Sequence, residues 1–233
     1  MTIKNRDDFF IAILNGLTAN RATADRDTIA EDAIRHAWKL ADMAVYHQNR
    51  VEHPSETALR WIRKNYLILD TETTGLGTDA KIVEIAIIDC TGKTLLNTLV
   101  NPGIPIPPEA TAIHGITDEM VRDAPTWRDI ERQVTDLLDR KWIAYNASFD
   151  ARMLRRGAGT QLIDPSTYEC AMQLYAEHRG LWDTYRRKYR WAKLVDAAVA
   201  LNVASGEGNA HRALYDCQQT LGVIRAIAGM KHE

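Results

Sequence analysis

Apolar residues near the N-terminus recur every three to four positions, the spacing that places side chains on one face of a helix. One such stripe comprises Phe9, Phe10, Ile13, Leu14 and Leu17, and another comprises Ala30, Ile34, Trp38, Ala41 and Val45. A short third helix is expected to end at Arg63. Residues 1–64 are therefore predicted to form a helical extension, and residues 65–233 a separate domain.

From Tyr66 onward the pattern changes to short apolar runs, which are typical of strands buried on both faces of a sheet. Five strands are predicted, at 66–70, 81–89, 94–100, 141–145 and 167–170. The first three follow one another across short connections, which predicts an antiparallel meander. After the third strand, a Pro-rich loop is expected to lead to His114.

Helical spacing returns in the second half of the chain. Helices are predicted over 129–139, from Ser148 onward, and in three segments after Ala171. The last one has Leu214, Cys217, Leu221, Ile224 and Ala228 on one face. A meander followed by alternating helices and strands predicts an α/β fold, with a mixed sheet flanked by helices on both faces.

The composition is that of an ordinary globular protein and excludes several classes. Of 233 residues, 45% are hydrophobic and 26% are charged. No run of ~18 apolar residues is present, so no membrane span is expected, and acids near the N-terminus do not fit a signal peptide. Three widely spaced cysteines favour a reducing, cytoplasmic location. A net charge of −2 does not mark a nucleic-acid binder.

Two carboxylates at the end of the first predicted strand give the sharpest chemical signal. Asp70 and Glu72 are two residues apart, and strand side chains at that spacing point to the same face. At ~5 Å and an effective dielectric of ~20, two such anions repel by roughly 3 kcal/mol, which a shared proton or a cation would relieve. The alternative is a strand end that has simply reached water.

The segment 146–150 places an acid where a predicted strand turns into a helix. Asn146 or Ser148 can cap that helix, and Asp150 then lies in its first turn. The positive end of the helix dipole stabilises an anion at this position, so Asp150 also fits a purely structural role.

The segment 211–216 pairs a histidine with another acid. His211 and Asp216 are five residues apart, which places them on different faces if both are helical. They converge only if His211 lies at or before the helix start, for which Asn209 is a nearby cap residue. The alternative is an exposed helix-terminal histidine beside an acid that flanks the apolar face.

Basic and aromatic residues cluster in the second half of the chain. The basic ones are Arg152, Arg155, Arg156, Arg186, Arg187, Lys188, Arg190 and Lys193, and the later ones are interleaved with Tyr185, Tyr189 and Trp191. Arginines and aromatic rings together suit a single strand of nucleic acid, although a solvated helix face is the alternative. Leu76, in a polar loop, suits a wedge against a base or a plug at the edge of the core.

Together these groups resemble the motifs of the DnaQ-like 3′–5′ exonucleases of the DEDDh type. The family motifs are a strand ending in D-x-E, N-x-x-F-D and H-x-A-x-x-D, found here in that order at 67–76, 146–150 and 211–216. The segments 83–86 and 112–117 also match the family pattern, whereas Tyr145 stands where many relatives have histidine. The resemblance covers about residues 66 to 228.

The resemblance implies a ribonuclease H-like fold and a metal-dependent 3′–5′ exonuclease that releases nucleoside monophosphates from DNA or RNA. It implies two Mg²⁺ ions, which Mn²⁺ can replace. Asp70 is expected to bridge both ions, with Glu72 and Asp216 on the first, Asp150 on the second, and His211 as general base. Substrate contacts are expected from Thr73, Leu76, His114, Asn146 and Phe149.

The expected partner is the single-stranded 3′ end of DNA or RNA, with no membrane involved. A homodimer, and a protein partner bound through residues 1–64, stay open. A phosphatase of the haloacid-dehalogenase type also begins with a strand and Asp-x-acid, but it needs a second aspartate where Glu72 stands. A catalytically inactive nucleic-acid-binding module would lack an acid or the base, whereas all five positions are filled here.

Overall fold

A five-stranded mixed sheet organises the structure. The computed structural model describes residues 11, 34–44, 52–158, 165–203 and 211–230. The strands are β1 (Leu67–Thr73), β2 (Ile82–Asp89), β3 (Thr94–Leu99), β4 (Trp142–Ala144) and β5 (Tyr168–Cys170), in the spatial order β3-β2-β1-β4-β5. β2 pairs antiparallel with β1 and β3, and β4 pairs parallel with β1 and β5. The predicted α/β fold with a mixed sheet is confirmed.

The helices are α1 (Pro54–Arg63), α2 (Pro108–His114), α3 (Asp118–Val121), α4 (Trp127–Leu138), α5 (Ala147–Ala158), α6 (Ala171–Arg179), α7 (Leu194–Ala200) and α8 (Ala213–Ile227). A two-stranded hairpin of β6 (Trp182–Asp183) and β7 (Lys188–Tyr189) lies between α6 and α7 in the chain. Residues 34–44 are helical, as the second N-terminal stripe predicts, whereas the first stripe lies outside the described residues.

The two faces of the sheet enter different cores, because alternate strand residues point to opposite sides. On one face, Ile68, Ile88 and Ile143 pack with α1, α6, α7 and α8. On the other, Leu69 and Ile87 pack with α4 and α5. Burial on both faces explains why the strand sequences read as continuous apolar runs.

Helix α1 shares a core with the sheet. Its Ala58 and Trp61 are fully or almost fully buried and belong to the same cluster as Ile68 and Cys217. Helix α1 belongs to the predicted extension, residues 1–64, yet it packs against the sheet of residues 65–233. An apolar stripe in the sequence does not reveal which core it joins. One compact unit comprises Pro54–His178 and the residues from Ala192 onward, and the other includes Arg179–Trp191.

Three segments differ from the predicted elements. β1 continues three residues past Asp70, to Thr73, because its pairing with β2 continues. The predicted Pro-rich loop ends in a helix, α2, and a further unpredicted helix, α3, follows it. Helix α2 begins at Pro108, a position whose N–H would have no partner within the helix, so the missing N–H of proline costs nothing there. The β6–β7 hairpin interrupts the segment predicted as three helices, although α6, α7 and α8 are themselves confirmed.

Two observations relate to membranes and cysteines. None of the described helices combines the length and apolar character that crossing a bilayer requires. Cys90, Cys170 and Cys217 are all free thiols, of which Cys90 and Cys217 are buried and Cys170 is half-buried.

Candidate active site

Three carboxylates from two distant segments meet at the end of β1. Asp70 and Glu72 are half-buried on one face of the strand, as their spacing predicts, whereas Thr71 between them is buried on the other. Asp216 reaches them from the first turn of α8. One carboxylate oxygen from each of the three residues lies within 4.8 Å of the other two. The D-x-E signal therefore marks a real cluster and not a solvated strand end.

Burial raises the pKa of all three acids and is the largest cause in each case. The pKa of Asp70 is raised well above its usual value, with the charges of Asp150 and Glu72 adding to the effect of burial. The pKa of Glu72 is raised to about 8. For Asp216, the proximity of His211 opposes the rise. The positive charges of His211 and Arg212 therefore do not offset the effect of burial and of the neighbouring carboxylates.

The donor set of this cluster fits a hard divalent cation. Its three side chains offer only carboxylate oxygens, which Mg²⁺ and Mn²⁺ prefer, and no thiolate or imidazole belongs to the triplet. Within the part of the chain that the structure describes, Asp70, Glu72 and Asp216 form the one group of this kind that could hold a metal ion.

The fourth acid, Asp150, lies beside this triplet and is held from the opposite face of β1. It is in the first turn of α5, as predicted, and is 3% exposed. The hydroxyl of Thr71 donates a hydrogen bond to Asp150 Oδ1 over 2.8 Å. Burial raises the pKa of Asp150 to about 7, although the Thr71 hydrogen bond opposes this rise. Among the neighbouring charges that raise the pKa of Asp70, the charge of Asp150 has the largest effect.

The start of α5 brings two predicted substrate contacts together. Asn146 directly precedes the helix, and its carbonyl accepts a hydrogen bond from the Phe149 N–H over 2.8 Å. The Asn146 side chain is exposed and accepts from the Ser148 hydroxyl over 3.2 Å. Phe149 is half-buried, with the Arg152 guanidinium 5.2 Å from its ring centroid. Their contact with a nucleotide stays a prediction.

His211 lies before the helix that carries Asp216. α8 begins at Ala213, and His211 has a left-handed backbone with φ +62°. This position satisfies the condition under which a histidine and an acid five residues apart can converge, and the charge of His211 lowers the pKa of Asp216. The predicted cap residue Asn209 lies outside the described residues.

Glu84 is a site residue whose role does not follow from the sequence, although 83–86 is part of the family pattern. It is 3% exposed on β2. Its carboxylate accepts hydrogen bonds from Arg212 Nη2 over 2.6 Å, from Arg212 Nε, and from the Ala213 N–H over 2.9 Å. Glu84 thus caps α8 from a neighbouring strand and fixes the residue that follows His211. An acid inside an apolar strand signals a buried partner without identifying it.

The turn after β1 is held by His114. The Ile116 N–H donates to His114 Nδ1 over 3.0 Å, so the proton is on Nε2, which donates to the Thr73 carbonyl over 3.3 Å. Burial lowers the pKa of His114, which favours the neutral ring. Gly75 has φ +152°, which favours glycine. Leu76 is 78% exposed, so the core-plug alternative is wrong, while nucleotide contacts by Thr73, Leu76 and His114 stay predictions.

Comparison with known proteins gives consistent matches. A family model for exonucleases, of the RNase T type, matches residues 67–224. The uncharacterized exonuclease CP81 of Escherichia phage 186 is 49% identical over 183 residues, which cover 75% of this chain and 93% of that protein. Exodeoxyribonuclease 10 of Escherichia coli strain K12 is 40% identical over 162 residues, which cover 67% of this chain and 66% of that protein.

A solved structure supports the same assignment. Exonuclease X in complex with 5′ overhanging duplex DNA has 32% sequence identity and a TM-score of 0.53, over 71% of this chain and 94% of that chain. Its fold agrees with the mixed five-stranded sheet, and the three sequence motifs meet at the end of β1. The chain therefore belongs to the exonuclease family of DnaQ-like, DEDDh-type nucleases with a ribonuclease H-like fold.

Proposed function

We propose that the chain is a 3′–5′ exonuclease that releases nucleoside monophosphates from a nucleic-acid end by metal-dependent hydrolysis. The observation that carries this proposal is the convergence of the half-buried Asp70, Glu72 and Asp216, with Asp150 and His211 beside them. The cost of gathering carboxylates without counter-charge favours a site built for cations.

The carboxylates would hold two Mg²⁺ ions, which Mn²⁺ can replace. Asp70 would contact both ions, Glu72 and Asp216 would complete the first site, and Asp150 would hold the second. When bound, such cations stabilise the attacking and leaving oxygens of an in-line displacement at phosphorus. The raised pKa values of Glu72 and Asp150 support this role, because a bound cation would return both acids to the ionised form.

His211 is proposed as the general base. An imidazole titrates near neutrality and can take a proton from water. The side chain is exposed, so it can pass that proton on to solvent, and Asp216 is close enough to interact with its charge. In the reaction, the water oxygen bonds to phosphorus, the P–O3′ bond breaks, and the O3′ leaving group takes up a proton.

The 3′-terminal nucleotides are proposed to lie against the turn after β1 and the start of α5. Leu76 and Phe149 offer apolar surface to a base, and Asn146 offers an exposed amide. His114 holds the Thr73 carbonyl in place through a hydrogen bond from its Nε2. DNA is favoured as substrate because a relative with 40% identity is named an exodeoxyribonuclease.

The test is a degradation assay on matched single-stranded DNA and RNA that carry a 5′ label. With Mg²⁺ we expect stepwise shortening from the 3′ end, faster on DNA, and no reaction in EDTA. Asp70→Asn is expected to abolish turnover, whereas Asp123→Asn, at an exposed acid of the same type, should not. Cuts in the middle of the strand would mean an endonuclease, and turnover by Asp70→Asn or in EDTA would refute the metal mechanism.

A further inference from the structure

The β6–β7 hairpin is rich in basic and aromatic residues, and none of them has a role in the proposed hydrolysis. Residues 181–191 contain four basic side chains, Arg186, Arg187, Lys188 and Arg190, and one acid, Asp183. Asp183 lies 3.7 Å from Arg190 and also interacts with the charge of Arg186, so the hairpin has a net excess of three positive charges. The whole chain has a net charge of −2, so this local excess is not a general property of the protein.

The conformation of the hairpin is fixed by contacts between its own residues. Trp182 lies opposite Tyr189 in the strand pairing, and their buried rings meet edge to face with centroids 5.0 Å apart. In the turn, Asp183 Oδ1 accepts a hydrogen bond from the Arg186 N–H over 2.9 Å, and Arg187 has a left-handed φ of +50°. This geometry holds the turn residues in fixed positions, which reduces the entropy that a ligand would have to remove.

The remaining rings and charges of the hairpin face solvent. Tyr185 is 94% exposed and Trp191 is 55% exposed. Both border a cavity of about 590 Å³ whose lining also includes Arg186, Lys188 and Arg190. Exposed aromatic rings beside exposed basic side chains are what stacking of bases and contact with phosphates require.

We propose that this hairpin surface (Tyr185, Arg186, Arg187, Lys188 and Trp191) binds a single strand of nucleic acid. Basic side chains alone would accept any polyanion, but two exposed rings favour unpaired bases, whose faces are free to stack. The inference rests on the proposed function, because it assigns to the substrate strand a binding element distinct from the residues that cleave it.

The charge contribution is tested by binding of a fluorescein-labelled single-stranded oligonucleotide in EDTA, followed by anisotropy. The variant Arg186→Gln, Arg187→Asn, Lys188→Gln removes three charges, and asparagine tolerates the left-handed backbone at 187. We expect binding to weaken by about 10-fold or more, and the slope of log affinity against log salt to fall by about 2.

The stacking contribution is tested with Tyr185→Ala and Trp191→Ala. Each is expected to weaken binding of the single strand by about 5- to 100-fold, and to change binding of a blunt duplex much less. If both variants bind the strand as the wild type does, and the duplex binds equally well, the hairpin is a general polyanion surface and the single-strand assignment is wrong.

A matched control is Lys93→Gln, Arg122→Gln, Arg132→Gln, which removes three charges from exposed positions elsewhere. We expect it to bind the strand as the wild type does, and an equal loss in both triple variants would overturn the inference. Hydrolysis of thymidine 5′-monophosphate p-nitrophenyl ester by the wild type reports the proposed function separately. If the protein hydrolyses the ester but the hairpin variants bind the strand as the wild type does, only the hairpin surface is refuted. If the hairpin variants lose binding but the wild type hydrolyses neither the ester nor the strand, only the proposed function is refuted.

Discussion

Helices α5 and α8 each bring an acid from their first turn to β1, but the two acids are held differently. Asp150 of α5 is buried and takes a direct hydrogen bond from Thr71 of the strand itself. Asp216 of α8 is half-buried and is positioned indirectly. Glu84 on β2 fixes the start of its helix through an ion pair with Arg212 and a hydrogen bond from the Ala213 N–H. One side of the site therefore depends on a hydrogen bond from a hydroxyl to a carboxylate, and the other on an ion pair; each of them joins two separate segments of the chain.

The difference separates a closed side of the site from an open one. The α5 side excludes water around Asp150, which keeps the pKa of that acid raised. The α8 side leaves His211 exposed, so a proton taken there can leave to solvent. Proton transfer is thus expected to depend on the α8 side, and cation affinity on both.

The largest expected effect is on the open side. His211→Asn should reduce kcat by ~10²–10⁴ and leave metal affinity nearly unchanged, because the role proposed for this side chain is to remove a proton and not to hold a cation. Turnover of an oligonucleotide and calorimetric titration with Mn²⁺ measure the two quantities. His178→Asn, at another exposed histidine, is the matched control. A parallel loss of metal affinity would mean that His211 is a ligand.

Next comes the charge pair that fixes α8. Glu84→Gln should lower kcat by about 10- to 100-fold, because Arg212 and the Ala213 N–H lose a charged acceptor and the start of α8 loosens. In a double-mutant cycle with Arg212→Gln, the double variant should be little worse than either single one. Melting temperatures check folding. Additive losses in kcat would refute the coupling.

A smaller effect is expected on the closed side. Thr71→Val removes one hydrogen bond from a hydroxyl to the Asp150 carboxylate, worth about 1.5 kcal/mol when that carboxylate is ionised, so affinity for Mg²⁺ should fall by about 10-fold. Thr71→Ser keeps the hydroxyl and should restore most of that affinity. Equal behaviour of the valine and serine variants would show that packing at this position matters, and not the bond to Asp150.

The smallest expected effect is a shift in stability with pH. Without divalent cations, the free energy of unfolding should fall as pH rises from about 4 to about 8. Folding raises the pKa of Asp150 to about 7 and that of Glu72 to about 8. The unfolded chain ionises these acids near pH ~4. The folded chain therefore binds more protons in this window, and ionisation favours unfolding.

Thermal melting in EDTA at several pH values measures this dependence. Asp150→Asn should flatten it more than Asp216→Asn, since Asp150 is the more buried acid. Excess Mg²⁺ should also flatten it, because cations bind the ionised carboxylates of the folded chain. A melting temperature that rises over the same range in EDTA would contradict the assigned pKa shifts.

The sequence predicts those parts of the site that depend on local pattern. The apolar run before Asp70, the two-residue spacing to Glu72, and the first-turn position of Asp150 all follow from periodicity, and the structure agrees. Neither Glu84 nor Thr71 could be assigned in this way. Their partners are 128 and 79 residues away in the chain, so the contacts depend on how the elements pack.

The hairpin and helix α2 could not be predicted for a different reason. Two-residue strands such as β6 and β7 are too short to show a period, and their stability depends on the pairing of Trp182 with Tyr189. Prolines at 105, 107 and 108 suggest a loop, yet Pro108 at the first position of α2 is compatible with a helix.

The packing of α1 has a practical consequence for anyone trimming this protein to a minimal nuclease. A fragment cut at residue 65, where the family resemblance begins, would lose Trp61 and Ala58 and leave a void against Ile68 and Cys217. Deleting a buried tryptophan side chain typically costs about 3–5 kcal/mol, a large share of what keeps a small domain folded. Fragments made for expression should therefore begin upstream of Pro54.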